Sequence, residues 1–262
     1  MSVAFCCPSY KRPGQVRTVE YVPWLRVYVD GIEADEYRMN NPDVDIVACP
    51  DGVQGNVSRV RNYIMREEFA AGHDGVVLLD DDMRNIAYWD GEPRTDRHEL
   101  PTEYLREWVD HNMRVAHEWG AYMWGVNLMP DPQAYNITCP FTVTRPVLGP
   151  FQAFRAGSGC WYDERLYLKE DYDMFIQQMN RHRKVLRLNR YFYQCKQSEN
   201  IGGCATQRNM RREKEQLELL QRKWGRQIVR NDGHKSRSHN SKKSRVRTID
   251  YNPVIRVPVN GV

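Results

Sequence analysis

The sequence has no apolar run approaching the roughly 18 residues that a helix needs to cross a bilayer. Its opening segment, MSVAFCCPSYKRP, lacks the long hydrophobic region and small-residue cleavage site of a signal peptide, so we expect a cytoplasmic protein without a membrane partner. None of the seven cysteines stands in the Cys-x-x-Cys spacing of a zinc or redox site, and their odd number argues against a disulfide scaffold. We therefore expect reduced thiols, most of them in the core.

What the sequence does contain is enough apolar material for a packed core, with 41% hydrophobic and 11% aromatic residues among 262. The net charge of +4 is small but unevenly distributed, since residues 222–247 contain ten Lys or Arg and a single acid. Within that run, GHKSRSHNSKKSRVR (233–247) is Ser-rich and nearly free of large apolar residues, which predicts a flexible arm. We therefore divide the chain into a domain over 1–225 and a basic C-terminal arm over 226–262.

Apolar runs alternate with amphipathic stretches, the pattern of an α/β domain with a mainly parallel sheet flanked by helices. The predicted strands are 3–7, 25–29, 44–49, 75–82, 121–129 and 185–195. The predicted helices are 56–72, 102–119, 169–182 and 206–224. A Pro-rich loop is expected at 130–142, and a hairpin over 141–157 with its turn near Pro146 to Pro150.

The strongest candidate site is VVLLDDD, where a buried strand ends in three carboxylates. If the strand continues, alternation puts Asp80 and Asp82 on the same side, about 6 to 7 Å apart at the backbone. Adjacent carboxylates repel one another beside an apolar strand unless a cation neutralises them, and oxygen ligands suit Mg²⁺ or Mn²⁺. The sequence therefore predicts a metal site at Asp80 and Asp82, with a solvated acidic turn as the alternative.

Other strand ends carry matching groups, and in open parallel sheets ligands bind outside the carboxyl ends of the strands. Lys11 and Arg12 follow the first strand and suit phosphate, whereas Asp51 follows the third strand and suits a base or ribose. Ordinary polar turns are the alternative for each.

The helix predicted over 56–72 carries two cations near its beginning, where the helix dipole disfavours positive charge. An anion would offset that placement, so Arg59, Arg61 and the helix N-terminus predict a diphosphate cradle, with Asn62 as a further polar contact. A solvated basic face is the alternative.

A second acidic group, LKEDYD (168–173), stands at the start of a predicted helix. Acids are electrostatically ordinary in a first turn, so Glu170, Asp171 and Asp173 could simply cap the helix. The functional interpretation is that one carboxylate accepts a proton from an attacking hydroxyl. The sequence does not identify which of them does so.

Taken together, PSYKRP, NVSRVRN, LLDDD and the Glu-Asp pair resemble the GT-A glycosyltransferases over residues 1–200. The resemblance implies a GT-A, Rossmann-like fold and a nucleotide-sugar donor. It matches Asp80 and Asp82 to the family's Asp-x-Asp metal and diphosphate motif, and Glu170 and Asp171 to its acceptor-side pair. It also implies donor-nucleotide positions, which here are Pro8, Arg12 and Asp51. Many such enzymes use a late histidine as a further metal ligand, for which His234 is the first candidate and His239 the second.

Within that superfamily, RVRN, LLDDD, LKEDYD and the ending YNPVIRVPV look like the phage TET-associated glycosyltransferases. That resemblance implies transfer of a hexose, with UDP-glucose as the default donor, to 5-hydroxymethylcytosine in phage DNA. The basic arm independently suggests a DNA partner. Core packing and base stacking are both open for Trp124, Tyr135 and Trp161.

Three rival functions remain open from the sequence. The acceptor could be a protein or glycan, the aspartates could serve a metal-dependent nuclease or nucleotidyltransferase, or the chain could bind nucleic acid without catalysis. The sequence fixes neither the anomeric outcome nor the oligomeric state.

Overall fold

The computed structural model describes residues 1–90, 96–128, 131–132, 135, 137–195, 209–231 and 251–257. The described helices are α1 Thr18–Tyr21, α2 Ala34–Asn40, α3 Val57–Ala70, α4 Thr102–Glu118, α5 Glu170–His182 and α6 Met210–Trp224. The described strands are β1 Val3–Pro8, β2 Arg26–Asp30, β3 Asp45–Cys49, β4 Gly75–Leu79, β5 Met83–Asp90, β6 Asp96–Glu99, β7 Met123–Asn127, β8 Phe141–Thr142, β9 Phe151–Arg155, β10 Leu186–Cys195, β11 Val229–Arg230 and β12 Val254–Ile255. None of these helices is both long and apolar enough to span a bilayer.

A ten-stranded sheet forms the centre of the molecule, in the order β3-β2-β1-β4-β9-β7-β10-β5-β6 with β8 beside β10. Parallel pairing joins β1 to β2 and β4, β2 to β3, and β7 to β10. Strand β9 runs antiparallel between β4 and β7, so β4 and β7 point the same way. The carboxyl ends of β1 to β4, β7 and β10 therefore lie at one edge of the sheet, and the α/β class with a helix-flanked sheet is confirmed.

Apolar clusters on both faces of the sheet explain why its inner strands are apolar at successive positions. In β1, Phe5 and Cys7 join one cluster and Ala4 and Cys6 the other. The first cluster includes side chains from α1, α2 and α4, and the second includes side chains from α3, α5 and α6. Burial on both faces is the usual state of a parallel strand between helices.

The hairpin predicted over 141–157 is wrong. Strand β8 pairs with β10, whereas β9 lies between β4 and β7, so the two segments do not pair with each other. The strand predicted over 75–82 ends at Leu79, and the chain turns before β5 begins at Met83. Strands β5 and β6 were not predicted. The sequence of β6, DRHE (96–99), is fully exposed and lacks an apolar alternation.

The division of the chain at residue 225 stays a prediction. Strand β11 pairs with β12, and Tyr251, Ile255 and Val257 pack against the second cluster. Both flanks of the basic run are therefore attached to the domain, while residues 232–250 lie outside the described part.

Candidate active site

The three aspartates that follow β4 are divided by the turn that they form. Asp81 is buried and accepts hydrogen bonds from Ser9 Oγ at 2.7 Å and Arg12 Nη1 at 2.8 Å. Asp80 and Asp82 are partly exposed. The turn is fixed by Thr18, whose hydroxyl donates to the Asp80 carbonyl at 2.5 Å and accepts from the Met83 amide at 3.0 Å. The middle carboxylate thus stabilises the fold, and the outer two remain accessible for chemistry.

The environment of Asp82 suits a cation. Burial, followed by the negative charges of Asp80 and Asp81, raises the pKa of Asp82 to about 6. A divalent ion between Asp80 and Asp82 would offset that repulsion with the oxygen ligands that Mg²⁺ and Mn²⁺ prefer. No group of three or more His, Cys, Asp or Glu side chains that could hold a metal occurs among the described residues. Asp80 and Asp82 are the carboxylates that would hold a metal here, with the remaining ligands supplied by a bound substrate, and His234 lies outside the described part.

Arg61 connects the two acidic groups that were singled out from the sequence. Its guanidinium donates from Nη2 to Asp80 Oδ1 at 2.9 Å and from Nη1 to Glu170 Oε1 at 3.1 Å. It also lies 5.6 Å from the Tyr162 ring centroid. Burial lowers the pKa of Arg61, but the neighbouring Tyr162, Asp80 and Glu170 raise it above its usual value overall. A buried, charged arginine therefore holds carboxylates from β4 and α5 in one site.

The first turn of α5 presents Glu170 and Asp171 to this site. The helix begins after Lys169, which makes no side-chain capping bond. Asp171 accepts from the Tyr172 amide at 2.8 Å and from the Gly149 amide at 3.3 Å, which ties α5 to the loop before β9. Burial, followed by the charge of Asp171, raises the pKa of Glu170 to about 8. A carboxyl with a raised pKa in such a site is a candidate acid or base.

Asp173 belongs to the fold and not to the site. Its buried carboxylate accepts from Lys223 Nζ at 2.9 Å and from Trp224 Nε1 at 2.6 Å, both at the end of α6. Lys169 is buried on the same helix face and pairs with Glu213 at 2.6 Å. These bonds hold the start of α5 against α6.

The residues predicted for the donor have varied surroundings. Pro8 ends β1, and Asp51 is exposed in the turn after β3. Lys11 is exposed and has a positive φ of 58°, with its amide bound to Glu33 Oε2 at 2.9 Å. The Arg12 amide donates to the Tyr37 hydroxyl at 2.9 Å, and its side chain holds Asp81.

The residues of the predicted diphosphate cradle on α3 lie in different surroundings. Arg59 points to the surface, where it pairs with Glu164 at 3.0 Å and donates to the Gly52 carbonyl, so it does not join Arg61. The buried Asn62 uses its amide to donate to the Tyr162 carbonyl and to accept from the Tyr162 N–H, both at 2.8 Å. Asn62 therefore positions the loop before α5, and its polar contact with the donor stays a prediction.

One residue at the site was not singled out from the sequence. Tyr193, near the end of β10, is buried, and its hydroxyl has no hydrogen-bond partner. The rule that ligands bind at carboxyl ends of strands would have identified it, had the direction of β10 been known. Of the three candidate stacking residues, Trp124 and Tyr135 are buried, and Trp161 is half-exposed beside Arg66.

Comparison with known proteins finds a glycosyltransferase family profile and solved structures that resemble this chain. A family profile described as TET-Associated Glycosyltransferase matches residues 8–203. TarS of S. aureus, residues 1–349 in complex with UDP-GlcNAc, is similar in fold, with a TM-score of 0.52 and 11% identity over 84% of this chain and 65% of that one. The same fragment in complex with UDP gives a TM-score of 0.46 at 13% identity, covering 74% of this chain and 59% of that one. A search of curated proteins finds no match. The chain covers less than two thirds of the length of the TarS fragment.

Proposed function

The chain belongs to the TET-associated glycosyltransferase family, and on that premise we propose that it moves a hexose from a nucleotide sugar to 5-hydroxymethylcytosine in phage DNA. The proposed donor is a UDP-sugar, with UDP-glucose as the first choice, and the proposed location is the cytoplasm. The observation that carries the proposal is the Arg61 bridge, which brings Asp80 and Glu170 into one site. Donor-side and acceptor-side carboxylates must meet in this way for a sugar to pass between two substrates.

Asp80 and Asp82 would hold Mn²⁺ or Mg²⁺. When bound, the ion supplies charge stabilisation for the diphosphate leaving group. Arg61 fixes the Asp80 carboxylate through one oxygen, which leaves the second oxygen available. Thr18 fixes the backbone of the same turn. The chain thus orients its carboxylates before the donor arrives, and preorganisation of this kind favours catalysis.

Glu170 is the proposed general base. It would take the proton from the hydroxymethyl oxygen as that oxygen forms a bond to the anomeric carbon and the sugar–phosphate bond breaks. A carboxylate with a pKa raised to about 8 is a better proton acceptor, once ionised, than one with an ordinary pKa. Asp171, bound to the Gly149 and Tyr172 amides, is held beside it.

The basic run supports DNA as the acceptor. Ten Lys or Arg within residues 222–247 can contact several phosphates. The chain beyond the run is attached to the start of α5, because Asn252 Oδ1 accepts from Lys169 Nζ at 3.2 Å. A duplex would present the cytosine by flipping it, at a cost of a few kcal/mol.

The test is incubation of the purified protein with Mn²⁺ or Mg²⁺, a panel of UDP-sugars that includes UDP-glucose and UDP-GlcNAc, and DNA carrying cytosine or 5-hydroxymethylcytosine. The DNA is then digested and its nucleosides are weighed by mass spectrometry. A sugar-sized gain on the hydroxymethylated base alone supports the proposal. Donor hydrolysis without a gain points to a protein or glycan acceptor. DNA cleavage or nucleotide incorporation without a UDP-sugar points to phosphodiester chemistry.

Salt dependence separates a binding module from an enzyme. DNA retention should fall steeply between about 50 and 200 mM salt if the basic run contacts the phosphates. Retention without donor binding, metal binding or transfer would favour a nucleic-acid-binding protein over a transferase.

A further inference from the structure

The Tyr193 hydroxyl is a buried polar group that the folded chain leaves without a partner. The residue is 4% exposed, and its oxygen makes no hydrogen bond. Most buried hydroxyls in proteins are paired, because an unpaired one forfeits its hydrogen bonds to water. This hydroxyl lies at the carboxyl edge of the sheet, beside the candidate site, where a bound ligand would supply the missing partner.

The surroundings of this hydroxyl place it next to the acidic pair of α5. Gly149 has a φ of +77°, and a Cβ at that position would overlap the Tyr193 hydroxyl. The tyrosine can therefore occupy its position only because residue 149 has no side chain. The amide of the same glycine donates to Asp171 Oδ2 at 3.3 Å. The phenol of Tyr193 and the carboxylate of Asp171 thus both lie beside Gly149. The Asp80 amide is bound to the next residue, Pro150, at 3.2 Å, which joins this corner to the metal side.

The hydroxyl is a hydrogen-bond donor at this position. Burial, followed by the negative charges of Cys195, Asp80 and Asp171, raises the pKa of Tyr193 well above its ordinary value. The neighbouring ionised carboxylates can only accept. A ligand that satisfies both types of group must offer an acceptor and a donor within a short distance, and an alcohol does so with a single oxygen.

Resting on the transferase function proposed above, we infer that Tyr193 and Asp171 form a binding pair for one substrate hydroxyl. Tyr193 donates a hydrogen bond to the oxygen of that hydroxyl, and Asp171 accepts one from its hydrogen. The hydroxyl belongs either to the sugar of the donor or to the acceptor. In both cases Tyr193 selects for an alcohol at that place, because a ligand lacking it leaves the buried Tyr193 hydroxyl unpaired.

The test is Tyr193→Phe, with Tyr191→Phe as the matched control. Tyr191 lies on the same face of β10 with a partly buried ring, 5.0 Å from the Trp108 ring centroid, and does not border Asp171. Titration calorimetry with Mn²⁺ measures binding of UDP and of the UDP-sugar that the protein uses. Steady-state kinetics with hydroxymethylated DNA give kcat and KM for both substrates.

If the hydroxyl belongs to the sugar, Tyr193→Phe should weaken UDP-sugar binding about 10- to 100-fold and leave UDP binding unchanged. A UDP-sugar lacking that one hydroxyl should then bind wild type and variant equally. If the hydroxyl belongs to the acceptor, UDP-sugar binding stays constant and the KM for DNA rises by a similar factor. Both patterns support the pair, and Tyr191→Phe should show neither.

A stability measurement distinguishes this role from a structural one. Removing an unpaired buried hydroxyl should leave the Tm of the ligand-free protein unchanged or raise it. A lower Tm together with unchanged binding and KM would overturn the inference, as would no change in any of these quantities. If the wild type binds UDP-sugars but modifies no DNA, the acceptor proposal fails, while the calorimetry still decides whether Tyr193 contacts the sugar.

Discussion

Replacing Arg61 with Met should destabilise the protein far more than the same change at Arg59, one half-turn earlier on α3. The side chain of Arg61 is 6% exposed and is paired with Asp80 and Glu170, whereas that of Arg59 is 41% exposed and is paired with the equally exposed Glu164. Removing one partner of a buried pair costs about 3 to 5 kcal/mol. The lower end, about 3 kcal/mol, applies here because the Asp80 side chain is 37% exposed and partly screened by water. An exposed pair such as that of Arg59 contributes about 0.2 to 1 kcal/mol.

The assay is urea unfolding at pH 7, followed by circular dichroism for wild type, Arg61→Met and Arg59→Met. Methionine keeps most of the aliphatic volume of arginine, so the difference reports the lost charge and hydrogen bonds more than a cavity. A gap of about 2 kcal/mol or more between the variants is expected from the two burial states. Equal destabilisation, or an Arg61→Met protein as stable as wild type, would show that Arg61 does not hold the two carboxylates together.

Three further predictions concern the acidic residues. The transfer rate should rise with pH through about 8 as Glu170 ionises, because burial and Asp171 raise its pKa. Glu170→Gln should lower the rate about 10²- to 10⁴-fold and abolish that rise. A pH profile of kcat/KM with the same rise in both proteins would contradict this prediction. Asp82→Asn should weaken Mn²⁺ binding at least about tenfold in a titration followed by electron paramagnetic resonance, because it removes a charged oxygen ligand. Asp81→Asn should instead lower the Tm and leave Mn²⁺ binding unchanged. The reverse pattern would mean that Asp81, and not Asp82, binds the metal. Asp173→Asn should cost about 1.5 to 3 kcal/mol in urea unfolding, because its buried carboxylate loses the charge-assisted hydrogen bonds from Lys223 and Trp224. Unchanged stability would show that α6 does not depend on this contact.

The sequence was sufficient for the elements that rest on local pattern. The predicted helix 56–72 is α3 within two residues at each end, because Asn56 caps it by accepting from the Ser58 and Arg59 amides. The hairpin over 141–157 failed because the partners of β9 are β4 and β7, which are separated from it along the chain. Turn residues between two apolar runs indicate a turn but not which strands will pair.

Arg61 illustrates a limit of a different kind. A cation near the start of a helix predicts a nearby anion. In the structure the negative charge comes from side chains of the protein itself and not from a bound ligand. The partners are Asp80 and Glu170, which are 19 and 109 positions away in the sequence. Electrostatic complementarity was therefore predictable, whereas the identity of the anion depended on two long-range contacts.

The first turn of α5 shows how adjacent ionisable residues acquire different roles from helix geometry alone. Lys169 and Asp173 are four positions apart, so they lie on one face, and both bind α6. Glu170 and Asp171 are rotated about 100° and 200° further around the axis by the 3.6-residue period, away from Lys169. They contact Arg61 and Gly149 instead. The residues of α5 that hold the helix in place therefore also determine which two carboxylates enter the site, and the contact of Asn252 with Lys169 extends that dependence to the chain beyond the basic run.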